Sequence, residues 1–473
     1  VVKLVPRPVF SIRRELPMYR CLFLAVVLLP GQTVAGEPAA VLGQPVLEAP
    51  SPASSPDRSS SKEGEAPQAA AQLDQDGGSS DSDGSERWLL MNLLQGTALG
   101  KALDTQRTEI TGWTALGFLT STSPAEPGSN WAPRLNKVLL RQEWVRIERP
   151  IDANNSSEPT FGFHLDVLAG SDYSFVLQRD FFNDQLLNSR RNQNIYGIDL
   201  PQFYVNAYFP NVFAGAEFKA GRVFNPWGYE SVEEWSTPLM TRSLTFINSP
   251  FTVMAMGLYP KFNSAWSGAF LLANGNDTFF GPSEEPRFVG MLAWKSSSQR
   301  DSVMLGTTAG RGRFNANEPF APPTAGLPNE PAGHNNFNMI DLVFTHQFSS
   351  SFSYALESSY GEQSAVPANV PGGIVRPGAV TGTAHWASAV NYFRYTFNPH
   401  LGGIVRVELF DDIDGQRTGF PGLYTLLTGG VQWRPTRALL IRPEVRYIDN
   451  DETRAFAGHH ATLTAGCDVM LRW

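Results

Sequence analysis

The chain has 473 residues, a formal net charge of −8, 17% charged and 12% aromatic residues, and 42% hydrophobic residues. The charged fraction lies below the roughly 25% of soluble domains, and an acidic balance argues against a general nucleic-acid binder, which carries a basic stripe. An ordinary hydrophobic content excludes a bundle of membrane helices but not a membrane barrel, whose alternating strands hide their apolar face from bulk hydropathy.

The elements follow in chain order. Arg13, Arg14 and Arg20 precede the apolar run 21–29, and Thr33-Val34-Ala35 follows it. A basic flank, a short apolar run and a small-residue site predict a secretory signal peptide over 1–35. The run is too short for a membrane-spanning helix. Met18 is well placed as the start, which would make residues 1–17 an over-called gene start. Of the two cysteines, Cys21 would leave with the leader and Cys467 would stay as a small apolar filler. Residues 36–87 are rich in Ala, Pro, Ser, Gly and Asp, a composition that cannot bury enough surface to fold. They are expected to be a disordered periplasmic linker. The Leu and Met spacing over 88–104 predicts one or two short helical turns, weakened by Gly96 and Gly100.

From residue 105 to 473 the chain reads as strands. Sixteen runs qualify, near 108–121, 136–149, 158–171, 201–209, 214–225, 250–259, 262–274, 286–297, 302–312, 338–348, 351–361, 384–398, 401–411, 423–434, 437–448 and 459–473. Short links such as 210–213, 298–301 and 349–350 alternate with long ones such as 172–200, 226–249, 313–337 and 362–383. Short turns alternating with long loops around an even number of strands is the pattern of an outer-membrane barrel with both ends periplasmic.

The side-chain period is two. Phe161, Phe163, Leu165 and Val167 oppose His164 and Asp166; Val405, Val407 and Leu409 oppose Arg406 and Glu408; Ile441, Val445 and Tyr447 oppose Arg442, Glu444 and Arg446. An Arg or Lys facing lipid near the midplane costs about 2–4 kcal/mol, so the charged set must face a wet, charged lumen. In 136–149, Val138 and Leu140 fall out of phase with Val145 and Ile147, and a bulge near Arg141 would restore the alternation. Ala461, Leu463, Ala465, Cys467, Val469, Leu471 and Trp473 put an apolar face on the last strand. An edge of this kind invites aggregation unless it pairs with the first strand and closes a barrel. Trp473 resembles the terminal aromatic sorting signal read by the barrel assembly machinery.

Five blocks, in order, carry a family resemblance. They are 140–150, 161–172, Pro201-Gln-Phe-Tyr204 with Gly228-Tyr-Glu230, Arg406 to Gly415, and Arg442 to Tyr447. The stretch from about Gly112 to the C-terminus resembles the β-barrel porin-2 (OmpL-like) outer-membrane family. The resemblance implies an outer-membrane porin and no particular solute. His164 stands where that family often has Arg, Ala169 where it often has Tyr, and the loop at 313–337 is rich in proline.

Candidate site residues are the lumen charges and an inward-folding loop. In the trimeric porins that this architecture resembles, the loop after the fifth strand bends inside; here it carries Glu230, Glu233, Glu234 and Arg242. Facing them would be His164, Asp166, Arg406, Glu408, Arg442, Glu444 and Arg446. Opposed acids and bases across a narrow pore would screen solutes by charge and size; the same residues could instead form a structural ladder on the wall. Acids at 411, 412, 414, 449, 451 and 452 lack the ordered spacing of a calcium loop. The sequence has no His-Glu-x-x-His, phosphate-cradling or G-x-S-x-G motif.

The expected molecule is an all-β, transmembrane, up-and-down antiparallel barrel of about sixteen strands. It passes small hydrophilic solutes or ions passively, is not an enzyme, and needs no cofactor or metal. Its partners are outer-membrane lipids, the barrel assembly machinery, its solutes and, by analogy, two further copies in a homotrimer, with no nucleic acid. The alternatives are a non-conducting structural or adhesive barrel, a barrel lipase or protease using His164 or His385 with a serine, and a soluble β-sandwich.

Overall fold

Strict alternation of apolar and polar side chains gives each strand two faces, and here the sheet built from them closes on itself. The computed structural model describes residues 87–473 except 124–132, 154–156, 179, 183–184, 186–194, 282–283, 315–335 and 368–380. The leader, Cys21, nearly all of the linker and most of the loop at 313–337 lie outside the described residues.

The strands are β1 (Glu109–Ser121), β2 (Val138–Arg149), β3 (Thr160–Gly170), β4 (Gly197–Asp199), β5 (Phe203–Phe209), β6 (Ala216–Phe224), β7 (Thr252–Pro260), β8 (Trp266–Ala273) and β9 (Arg287–Lys295). They continue as β10 (Asp301–Ala309), β11 (Asn338–Gln347), β12 (Phe352–Pro367), β13 (Thr381–Asn398), β14 (Leu401–Asp412), β15 (Gly422–Thr436), β16 (Leu439–Asn450) and β17 (Ala461–Arg472). β4 and β5 both pair with β3, so together they make one interrupted stave. Each other strand pairs antiparallel with its chain neighbours, and β17 pairs back onto β1, which closes a barrel of sixteen staves. Trp473 extends that seam, donating from its backbone to Gly112 at 2.9 Å and accepting from Gly112 at 3.0 Å.

All sixteen expected strands are present, and the faces fall as the alternation requires. Phe161, Val405, Val445, Tyr447, Val469 and Leu471 are exposed outward, while Asp166, Arg406, Glu408, Arg442, Glu444 and Arg446 are buried inside. The bulge is at Arg141: Ala115 pairs with Gln142 and Leu116 with Leu140, leaving Arg141 as the extra residue. Exposed aromatics gather at the short-turn end, among them Phe213, Trp266, Phe348, Phe397 and Trp433. Such a girdle marks the membrane–water interface of a lipid-embedded barrel.

Three expectations need correction. The link at 362–383 is strand at both ends, because β12 and β13 continue past a register shift at Gln363/Val366 and pair as far as Pro367 with Thr381, with 368–380 outside the described residues. Ala365 takes a positive φ of 57° in that bulge. Gly197–Asp199 adds a short strand inside the link at 172–200. The interior is also less wet than the charges implied. One apolar cluster lines the inside of β7–β13 with Val253, Leu271, Val289, Met304 and Val343, and a second gathers Trp113, Trp144, Leu168 and Leu440. These residues occupy inward positions whose outward neighbours are apolar too, so their strands carry weak alternation.

Two short helices, α1 (Leu89–Leu94) and α2 (Ala98–Thr105), precede β1. Gly96 turns between them at a φ of 80°, and Thr97 caps α2 by accepting from the Gly100 backbone at 3.0 Å. Among the described residues no helix is long and apolar enough to cross a membrane. Trp88 stands edge-on to Trp235 at 6.3 Å, and the Arg472 guanidinium lies 3.9 Å from the centre of the Trp88 ring.

Candidate functional site: a loop clamped inside the barrel

Residues 225–251, between β6 and β7, fold into the lumen instead of outward. Their neck is closed by the Asn225 backbone donating to Phe251 at 2.9 Å. Inside are a 3-10 turn (Glu234–Ser236) and a single helical turn, α3 (Leu244–Ile247), capped by the Ser243 hydroxyl, which accepts from the Phe246 backbone at 3.0 Å. Prolines at 226, 238 and 250 keep the rest from continuing either element. The loop approaches the wall closely. A Cβ added to Gly430 would stand 2.5 Å from Leu239 Cδ2, so a side chain on β15 there would have to displace the end of Leu239.

The loop's charges bond directly to the wall. Glu234 receives Arg141 Nη2 at 2.7 Å through one oxygen, and Arg242 Nη1 and Arg442 Nη2 at 3.3 Å each through the other. Arg442 also pairs with Asp468 on β17, and Arg141 lies 3.6 Å from Asp172. Three arginines thus meet three carboxylates in a dry cluster. Glu230 pairs with Arg406 at 2.8 Å and accepts from the Ser243 backbone at 2.7 Å. Glu444 accepts from the Met240 backbone at 2.9 Å and from the Thr241 hydroxyl. Glu408 accepts from the Thr245 backbone at 2.9 Å, and Arg446 is within its electrostatic reach. Glu233 pairs with Arg146, which forks onto Asp166 at 2.9 and 3.0 Å. His164 bonds to Asp166 at 3.0 Å and Glu148 at 3.2 Å, stacked on Tyr204 at 4.9 Å.

Every predicted loop and wall charge therefore belongs to one connected region, but acids and bases meet there without a gap. Breaking such a pair is expensive, because it leaves an uncompensated buried charge. Arg141, Asp172, Asp468 and Gln142 belong to this lattice and were not among the sequence candidates. Arg141 carried a signal, as the out-of-phase residue of its strand. Asp468 sits among the polar set of the last strand. His385 bonds to the Tyr360 hydroxyl at 2.8 Å, and the partners of both histidines among the described residues are other groups than serine. Asp412 accepts from the Arg417 and Thr418 backbones and the Thr418 hydroxyl. Among the described residues no group of three or more His, Cys, Asp or Glu is arranged to hold a metal ion.

Electrostatics separates the loop acids. Burial alone would raise the Glu234 carboxyl, but Arg141, Arg242 and Arg442 outweigh it and hold the group below its ordinary value. Asp172 goes the other way: burial, reinforced by Glu234 and only partly opposed by Arg141 and Arg242, pushes it up to about 6. A folded value above the unfolded one means that this group favours the folded state most at low pH, and that the benefit is lost as pH rises through about 6. Lowering the pH from 7 to 5 is therefore expected to stabilise the barrel by about 1 kcal/mol. Asp172→Asn should remove that increment, read as the pH dependence of the temperature at which gel mobility shifts on unfolding.

On its other side the loop leaves a small cleft that is open at its mouth. Loop residues including Trp227, Tyr229 and Glu230 line it, with Glu357 of β12. Glu357 accepts from the Tyr229 backbone at 3.1 Å.

A family model described as "Putative beta-barrel porin-2, OmpL-like" matches residues 107–471. No curated protein sequence matches. Among solved structures, the outer membrane channel DcaP of Acinetobacter baumannii is 10% identical with a TM-score of 0.50, over 77% of this chain and 97% of its own. OprB of Pseudomonas putida is 12% identical with a TM-score of 0.48, over 80% and 96%. OmpF of Salmonella typhi is 10% identical with a TM-score of 0.47, over 77% and 97%. At 10% identity the likeness to DcaP concerns the fold alone.

Proposed function

Because the chain belongs to the β-barrel porin-2, OmpL-like family and is an outer-membrane porin, we propose that solutes cross it along the cleft between the inward loop and β12. The observation that carries this reading is one-sided anchoring. The loop's charges pair with β2 and β14–β17, so its charged side is held to that wall, and the cleft opens on the other side, where the loop meets Glu357 of β12. Passage is passive. The cleft sets the size limit, and Glu357, which no arginine pairs with among the described residues, biases it toward cations. No bond is made or broken and no cofactor takes part.

In this reading the short turns and both chain ends face the periplasm. Trp473, at the seam with β1, would be the residue read during assembly, and a homotrimer rests on likeness of architecture alone. The apolar clusters inside the barrel favour a second reading, a barrel too filled to conduct. The test is planar-bilayer recording of the purified full chain in a potassium chloride gradient. Discrete steps with a reversal potential of cation sign are expected. Silent bilayers from protein that shows heat-modifiable mobility would select the filled barrel.

A further inference from the structure

Asp341 and Glu357 are buried carboxylates that the arginine lattice does not reach. They are 1% and 2% exposed. Both oxygens of Asp341 and Oε2 of Glu357 have no hydrogen-bond partner among the described residues. The register brings them together. Glu357 is directly opposite Val343, and Asp341 is two residues along the same inward face of β11. Such diagonal neighbours are about 7–8 Å apart, near enough for one small ligand to touch both. Glu230 and Glu408 add to the negative field at Glu357. Arg406, within electrostatic reach of Tyr392, is occupied: it bonds to Glu230, Thr241 and the Arg242 carbonyl.

Aromatic groups complete the surroundings. Trp227 packs onto Gly306, which is directly opposite Asp341 on β10. Tyr229 packs at a tilt against Tyr392, with ring centres 4.4 Å apart, and the Tyr392 hydroxyl, fully buried, also has no partner among the described residues. Gly228 takes a φ of 109° beside Glu357, and a Cβ added there would lie 3.5 Å from that carboxylate. A side chain at this position would narrow the cleft.

We propose that this cleft binds an organic cation of the ammonium or guanidinium type, held by the Glu357 carboxylate that lines it against the faces of Trp227 and Tyr229, with the buried Asp341 carboxylate, its diagonal neighbour, adding negative charge. Each part of the ligand has a counterpart. Positive charge meets two carboxylates without a counter-ion among the described residues, its N–H groups have buried carboxylate oxygens and a phenol that lack a hydrogen-bond partner there, and its faces meet aromatic rings. A metal ion fits less well, because grouped ligands are too few and aromatic faces offer it no donor atom. The inference rests on the reading of the cleft as the conducting path, and deepens it by naming the solute class.

The experiment uses the purified full chain and guanidinium chloride at millimolar concentration, well below denaturing levels. In planar bilayers guanidinium should reduce the potassium current saturably, and Glu357→Gln and Asp341→Asn should each raise the half-blocking concentration tenfold or more. Trp227→Phe, which keeps a ring, should raise it only a few-fold. Equal half-blocking concentrations in wild type and both carboxylate variants would overturn the proposal while leaving the porin reading intact. Silent bilayers would remove the conducting path, and calorimetric titration of the detergent-solubilised wild type then decides. Saturable guanidinium binding supports the site, and its absence overturns it, whether or not the variants fold.

Discussion

Glu234→Gln is expected to loosen the inward loop and destabilise the barrel by about 3–5 kcal/mol, the usual cost of stranding buried charge. One carboxylate serves Arg141, Arg242 and Arg442 together, so its neutralisation leaves the dry cluster with a positive excess that Asp172 and Asp468 cannot cancel. The isosteric amide keeps the packing and isolates the charge. Two readouts should move together. The temperature at which gel mobility shifts should fall, and bilayer current should become larger and noisier as the loop leaves β16. Glu284→Gln, at an exposed loop acid, is the control and should change stability by less than about 0.5 kcal/mol. A clamped, quiet channel with unaltered thermal behaviour in Glu234→Gln would show that the lattice does not hold the loop.

Val445→Arg should cost about 2–4 kcal/mol and sharply lower the yield of folded protein from lipid or detergent refolding. Val445 is exposed on the outer face at the middle of β16, whereas its neighbour Arg446 is fully buried inside. The same side chain is thus tolerated at one position and excluded at the next, because the pleat sends the two to opposite media. Val445→Leu, which keeps that face apolar, should refold as wild type does. Wild-type refolding of Val445→Arg would mean that this face does not meet lipid.

Much of this architecture is legible in the sequence because a period of two has only two phases. Phe161 against His164, or Val445 against Arg446, can be assigned without knowing any partner strand. The disturbance at Arg141 was legible for the same reason, since a bulge is what restores phase. Pairings across the lumen are another matter. That Glu234 reaches three arginines depends on the path of a loop with three prolines, and nothing local encodes that path. Asp341 was hidden as well: it stands between Ile340 and Leu342 like any inward polar residue, and its isolation emerges only when the positions of all the arginines are known. The extension of β12 and β13 was missed because a stretch rich in Gly and Pro reads as loop, although paired backbone can pass through a bulge there.

The pairing of β1 with β17 joins Trp113 to Arg472 and Ser121 to Thr464, residues separated by nearly the whole length of the barrel's chain. Every other stave can zip onto the one before it as soon as both have emerged, but this ladder needs residues from the two extremes. Until it forms, the sheet is an open ribbon with two unsatisfied edges and a greasy outer surface. The cell must therefore shelter a sticky, nearly complete intermediate for as long as translation and transport take, and the moment of greatest hazard comes just before completion.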